Sequence, residues 1–127
     1  MPSICNGILL RMIVILFLSS PIVSCKSPFN YEENGIASYY HDGLEGKLTA
    51  SGDVFSQDSL TAAHKDLPFG TKVLVTNLQN QHTVWVTIND RGPFVDKRII
   101  DLSKRAADSL GLLQAGIDSV LIQAIIK

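Results

Sequence analysis

Two β-branched runs on either side of a short polar connection restrict the fold more than any other feature of this chain. Thr71-Lys72-Val73-Leu74-Val75-Thr76-Asn77 follows the punctuation Pro68-Phe69-Gly70, and Thr83 to Ile88 follows Gln79-Asn80-Gln81. Branching at Cβ suits a pleated strand, and turn residues at both ends mark a hairpin. Within the second run Val84, Val86 and Ile88 alternate with Thr83, Trp85 and Thr87, so the aliphatic set shares one face. Asp90 keeps the parity of that set. A pleat that holds this far carries a carboxylate to the rim of an apolar interior, beside the turn Arg91-Gly92-Pro93. The alternative is that Asp90 closes the turn through its own side-chain hydrogen bonds.

The remaining signals extend the sheet. Ile36 to Tyr40 reads as a first strand, Lys47 to Asp58 as an irregular loop, and Leu60 to Lys65 as one helical turn. Arg98 to Leu102 is a short apolar strand. Ser103 is a good N-cap for a helix from Lys104 to Leu110, with Gly111 at its C-terminal end. Val120 to Ile126, interrupted only by Gln123, is apolar enough to be a central strand rather than an edge. Short strands with one clear helix predict a mainly β chain, a closed or nearly closed barrel, because a small flat sheet leaves its edges open.

The start of the chain reads as a targeting segment. Met12 to Leu18 is apolar and is followed by Ser19-Ser20-Pro21, a run shorter than the roughly 20 residues that cross a bilayer. Residues 1–24 are therefore expected to be a signal peptide, an uncleaved anchor being the alternative. Cys5 would leave with it, so Cys25 becomes the one thiol of the mature chain, which admits neither a disulfide nor a zinc site. Ile22-Val23-Ser24-Cys25 resembles the bacterial lipobox, in which the cysteine is diacylated and becomes the new N-terminus. That predicts a lipid-anchored envelope protein, with Lys26 after the cysteine pointing to the outer membrane, facing the periplasm, if the cell is Gram-negative and to the cell membrane otherwise. Residues 25–34 are polar and aperiodic, a tether, and residues 35–127 are the folded domain. A net charge of −1 supplies no basic field for nucleic acid. Lys97, Arg98, Lys104 and Arg105 read as a solvated face.

Seven segments, in order, resemble the RlpA (rare lipoprotein A) family: Gly35-Ile36-Ala37-Ser38-Tyr39-Tyr40, Thr49-Ala50-Ser51-Gly52, Leu60-Thr61-Ala62-Ala63-His64-Lys65, Leu67-Pro68-Phe69-Gly70-Thr71, Val75-Thr76-Asn77-Leu78, Ile88-Asn89-Asp90-Arg91-Gly92-Pro93-Phe94 and Arg98-Ile99-Ile100-Asp101-Leu102-Ser103. The resemblance implies a six-stranded double-psi β-barrel with one or two short helices. It further implies a peptidoglycan lytic transglycosylase that cleaves the MurNAc–GlcNAc bond of glycan strands and leaves 1,6-anhydro ends without metal or cofactor, and the chain is expected to be a monomer. The SPOR domain that accompanies some members is not expected after this barrel. Carried over residue by residue, the resemblance makes Asp90 the catalytic acid and places Asp53 and His64 beside it. Arg91, Tyr39, Tyr40, Ser56 and Asp101 are the candidates for substrate contact. Asp53 stands where the family usually has Glu, and Ser56 where it has a second acid, which weakens any role that needs both acids. The rival readings are a non-catalytic glycan-binding or envelope-organising lipoprotein and an expansin-like wall loosener. Each candidate also has a structural alternative: backbone bracing for His64 and Asp101, and core packing for Tyr39, Tyr40 and Trp85.

Overall fold

The computed structural model describes residues 26–127. The expected signal peptide and Cys25 lie outside the described residues. Six strands, β1 (Tyr31–Tyr39), β2 (Thr61–Ala63), β3 (Lys72–Asn77), β4 (Thr83–Asp90), β5 (Arg98–Leu102) and β6 (Asp118–Ala124), close into a barrel in the order β1-β5-β2-β4-β3-β6. Pairs β1/β5 and β2/β4 are parallel and the other four antiparallel. Closure leaves no strand edge unpaired, which answers the edge problem that the short strands pose. A 3-10 turn at Asp42–Leu44 and a short helix, α1 (Lys104–Ser109), complete the regular structure of the described residues. Among these residues no helix is long and apolar enough to cross a membrane.

Alternation builds the core. Val73 and Val75 of β3, Val86 and Ile88 of β4, Ile100 and Leu102 of β5, and Val120 and Ile122 of β6 are each no more than 1% exposed. The expected hairpin forms, with Val75 opposite Val84 and Val73 opposite Val86. Ser103 caps α1 as expected, its hydroxyl accepting from the Ala106 N–H, and Ala106 and Ala107 are buried. Gly111 follows with φ of +70°, the left-handed conformation that closes a helix most easily without a Cβ.

Two elements differ from the sequence reading. Leu60 to Lys65 is not a helical turn; its centre is β2, wedged between β4 and β5. Three residues are too few to show a period, and the small Ala62 and Ala63 suit a crowded barrel wall. β1 begins at Tyr31 rather than after Gly35, so the polar stretch assigned to a tether is largely strand. Its Glu33 is drawn into the fold by hydrogen bonds from the Tyr31 hydroxyl at 2.6 Å and the His64 ring at 3.0 Å. Gly35 then sits where β1 crosses β5 so closely that a Cβ would come within 2.5 Å of the Ile99 side chain.

Ile122 is fully buried and Ile125, just beyond β6, is 55% exposed. Ile122→Ala is expected to cost about 2–5 kcal/mol of stability in urea unfolding, whereas Ile125→Ala stays within about 0.5 kcal/mol. Equal costs would contradict the assigned inward face of β6.

Candidate active site

Strand register gathers polar residues into one row. Ser38 of β1 pairs with Asp101 of β5, Asp101 with Ala63 of β2, and Ala63 with Asp90 of β4. Asp90 and Asp101 therefore stand two inter-strand spacings apart, roughly 10 Å along the row. Asp101 is held by the Ser38 hydroxyl and an Arg98 N–H, both at 2.6 Å.

The Asp90 carboxylate is fixed by three donors from three parts of the chain. Its Oδ1 accepts from the Ala50 N–H at 2.8 Å and from the Arg91 N–H at 2.9 Å. Its Oδ2 accepts from the Tyr40 hydroxyl at 2.6 Å. With Oδ1 doubly engaged, Oδ2 is the oxygen with more capacity left for a ligand. The Ala50 donor comes from a tight turn closed by Thr49 N–H to the Asp53 carbonyl (2.8 Å) and Gly52 N–H to the Thr49 carbonyl (3.0 Å). That turn is fastened to the end of β4 by Ser51 N–H donating to the Asn89 carbonyl at 3.2 Å. Gly52 adopts φ of +95°, which makes the turn costly for any residue with a side chain.

Tyr40 is positioned at one face of its ring and at its backbone. It stacks on Phe55 with centroids 4.4 Å apart, and the buried Gln57 amide donates to its carbonyl at 2.9 Å while accepting from the Lys104 N–H at the start of α1. Burial, then the hydrogen bond to Asp90 and the neighbouring Asp90 and Asp101 charges, push the Tyr40 phenol well above its ordinary value. It therefore remains a donor to Asp90 across the neutral range.

Beside this carboxylate is an open groove of about 310 Å³ whose walls include Tyr39, Tyr40, Leu44, Phe94, Arg98 and Asp101. Phe94, 80% exposed, and the half-exposed Val95 form an apolar lip. Tyr39 also packs against the core, its hydroxyl donating to the Leu113 carbonyl at 3.2 Å. Among the described residues no group of three or more His, Cys, Asp or Glu side chains is placed to hold a metal ion.

The other candidates occupy different surroundings. Asp53, exposed on the Ala50 turn, meets the Asn89 amide at 3.5 Å and does not line the groove. Ser56 accepts from the Asp58 N–H in a local turn. Arg91 borders the groove, but its guanidinium donates to the Leu67 and His64 carbonyls at 2.9 and 3.3 Å and lies 4.1 Å over the Phe69 ring. His64 is buried. Its Nδ1 accepts from the Asp66 and Leu67 N–H groups at 3.0 and 3.1 Å, which assigns the ring proton to Nε2, facing Glu33. It reaches Asp90 through the backbone, His64 N–H donating to the Asp90 carbonyl at 3.2 Å. Trp85 is far from the groove, half-exposed on the outer face of β4. Ala50, Phe55, Gln57, Arg98 and Glu33 were not legible as site or supporting residues. Ala50 acts through its backbone, and the rest meet their partners only across distant strands and loops.

Residues 32–122 match the model of the lytic transglycolase family, and the chain belongs to that family of double-psi β-barrels. Its relatives narrow the class further. The endolytic peptidoglycan transglycosylase RlpA of Haemophilus influenzae is 54% identical over 96 residues, 76% of this chain and 33% of that protein. The protein of the same name from Campylobacter jejuni is 50% identical over 92 residues, 72% of this chain and 34% of its own length. This chain thus spans about a third of the length of these curated relatives. Among solved structures, the Streptomyces papain inhibitor superposes with a TM-score of 0.62 at 24% identity, covering 79% of this chain and 99% of the inhibitor. The expansin of Clavibacter michiganensis gives 0.59 at 22% identity, over 75% of this chain and 50% of the expansin. Those two likenesses concern the fold alone.

Glu33 supplies a pH test of the brace under the site. Burial pushes its carboxyl up, but the hydrogen bonds from Tyr31 and His64 outweigh burial, and the group lies below its ordinary value of 4.5. Because the folded-state value is the lower one, its stabilisation is in place above about pH 4.5 and is lost as pH falls through the folded-state value. Glu33→Gln should flatten that acid limb in urea unfolding at stepped pH; an unchanged limb would contradict the brace.

Proposed function

We propose that this protein is a peptidoglycan lytic transglycosylase that cuts the MurNAc–GlcNAc bond of glycan strands and leaves 1,6-anhydro-MurNAc ends. The observation that carries the reading is the Asp90 carboxylate, set on the wall of an open groove with one oxygen saturated by backbone donors and the other turned to a tyrosine hydroxyl. The names of the relatives point the same way.

In this reading Asp90 Oδ2 gives a proton to the glycosidic oxygen as the bond from C1 breaks. The C6 hydroxyl of the same muramic acid closes on C1, and its proton passes to Oδ2. The acid is restored, no water is consumed, and atoms and charge balance. One carboxyl serves both steps, unlike the two-carboxylate arrangement of most hydrolytic glycosidases. Tyr40 favours the first step, since its O–H is aimed at Oδ2 as that oxygen becomes an anion. Phe94 and Tyr39 offer apolar surface to the faces of the sugar rings, and Arg98 and Asp101 offer polar contacts along the groove. Asp53, one residue away from Asp90 through Asn89, adds electrostatic influence, and His64 positions the strand end from behind. The chain acts in the cell envelope as a monomer, held to the membrane by a diacylated Cys25 after removal of residues 1–24. The lipobox-like Ile22-Val23-Ser24-Cys25 supports the anchoring, and the absence of a free strand edge in the barrel supports the monomer.

Digestion of purified sacculi and of peptide-stripped glycan, with mass analysis of the fragments, tests this. Anhydro-ended products are expected from the native protein and should fall at least about 100-fold in Asp90→Asn. Undiminished cleavage by that variant would remove Asp90 from the chemistry, products with ordinary reducing ends would indicate a hydrolase, and intact glycan that co-sediments with both proteins would indicate binding alone. Tyr40→Phe keeps the Phe55 stack and loses one hydrogen bond to a charged group, so kcat should drop about 10-fold or more with KM little changed. A purely structural Tyr40 would leave kcat of the folded variant near that of the native protein.

A further inference from the structure

A second cavity, larger than the groove, lies on the outer wall of the barrel. It has a volume of about 590 Å³ and is bordered by Phe29, Phe69, Trp85 and Ile125, with Lys72 and Lys127 at its rim. Trp85 is 50% exposed, Phe69 43% and Ile125 55%. Solvent-facing strand positions carry polar residues where water is their only neighbour, and Thr83 and Thr87 on either side of Trp85 follow that rule. An aromatic at the middle position, joined by three more large apolar groups, makes an apolar patch of the kind that marks an interaction surface.

The attachment of the N-terminal segment indicates what that surface meets. Phe29 is packed on Trp85, ring centroids 6.1 Å apart. Asn30 is pinned by its N–H to the Ala124 carbonyl (3.2 Å) and by its side chain to the carbonyl (2.8 Å) and N–H (2.7 Å) of Ile126. The body of the domain therefore starts at Phe29, and Lys26-Ser27-Pro28 alone separates it from Cys25. Fully extended, the links from Cys25 to Phe29 reach about 14 Å. If the acyl chains on Cys25 are buried in a bilayer, Phe29 and the patch around it cannot stand far above the headgroups.

We propose that the face formed by Phe29, Phe69, Trp85 and Ile125 is a membrane-docking surface that seats the barrel on the lipid interface next to its anchor. This rests on the lipid-anchored reading of Cys25. Trp and Phe suit the boundary between headgroups and acyl chains, and the Lys72 and Lys127 ammonium groups at the rim complement anionic headgroups. Docking on this face sets the height of the active site. Trp85 and Asp90 lie on one strand, five residues apart, so the Asp90 groove is held within about 17 Å of the bilayer. The enzyme would then work on glycan close to the membrane surface.

Trp85 is the one tryptophan of the chain, so its fluorescence reports this face directly. The lipidated full chain is purified from its host membrane and reconstituted into phosphatidylethanolamine–phosphatidylglycerol vesicles, with and without brominated acyl chains. Mass measurement of the N-terminal peptide records the state of Cys25 in the same sample. With Cys25 acylated, Trp85 emission should shift to the blue, be lost to the brominated lipid and resist aqueous iodide. Ile125→Asp and Lys72→Glu, both at exposed positions, should restore emission while leaving the anchor intact. Emission quenched by iodide and untouched by brominated lipid, with Cys25 acylated, would overturn the docking surface while the anchor stands. Shielding of Trp85 by soluble glycan fragments and not by lipid would overturn it in favour of a saccharide site. An unmodified Cys25 would sink the anchoring reading itself, and the docking surface with it.

Discussion

One carboxylate ties three distant pieces of chain together. Asp90 receives hydrogen bonds from Ala50 in the long loop after β1, from Tyr40 at the end of β1, and from Arg91 in the turn that leaves β4. A surface aspartate with one such bond would rotate freely; with three it has a single orientation. The same contacts order the irregular segment between β1 and β2, which makes few strand bonds of its own beyond the isolated Leu48–Val54 bridge. Site and loop are thus one object, and holding the loop occupies three of the hydrogen-bonding positions of the carboxylate.

The barrel provides the frame for that object. Its two parallel pairs bring the ends of β1, β2, β4 and β5 into one row, and the row carries Ser38, Asp101 and Asp90 past the small Ala63. Small residues at β2 let the flanking strands approach, and the absence of a side chain at Gly35 does the same where β1 meets β5. Behind the row, Glu33, His64 and Tyr31 form a second polar layer whose members satisfy one another. Arg91 links the layers by spanning from the turn after Asp90 to the His64 and Leu67 carbonyls.

Strands with strong patterns were legible in the sequence: the β3–β4 hairpin, β5, the Ser103-capped helix and the apolar β6 stand close to where alternation and capping put them. β2 was not, because three residues carry no period and its strand character comes wholly from its neighbours. The start of β1 was hidden by composition, since Glu32, Glu33 and Asn34 read as solvated until Glu33 is seen to have buried partners. At the site, the parity of Asp90 with Val84, Val86 and Ile88 does not carry through, because the β2/β4 register shifts between Ile88 and Asp90 and leaves Asn89 buried beside Ile88. The hydrogen bonds that orient it were invisible, because two come from backbone N–H groups and the third depends on Tyr40 being carried across the barrel. His64 illustrates the complementary difficulty. Motif order brings it next to Asp90, and the structure connects the two through main chain while the ring faces Glu33.

Under the proposed docking, the outer face around Trp85 would add a second constraint, the distance between the proposed lipid anchor and the Asp90 groove, to the chemistry proposed for one rigid carboxylate. The most direct test of that chemistry is a crystal structure of the Asp90→Asn variant soaked with a peptide-free glycan fragment that spans the groove. The account predicts a glycosidic oxygen within about 3.2 Å of the side-chain atom that replaces Oδ2, with the C6 hydroxyl of the adjoining muramic acid on the same side. A glycan seated elsewhere on the barrel, or a linkage held out of reach behind the Phe94 lip, would contradict it.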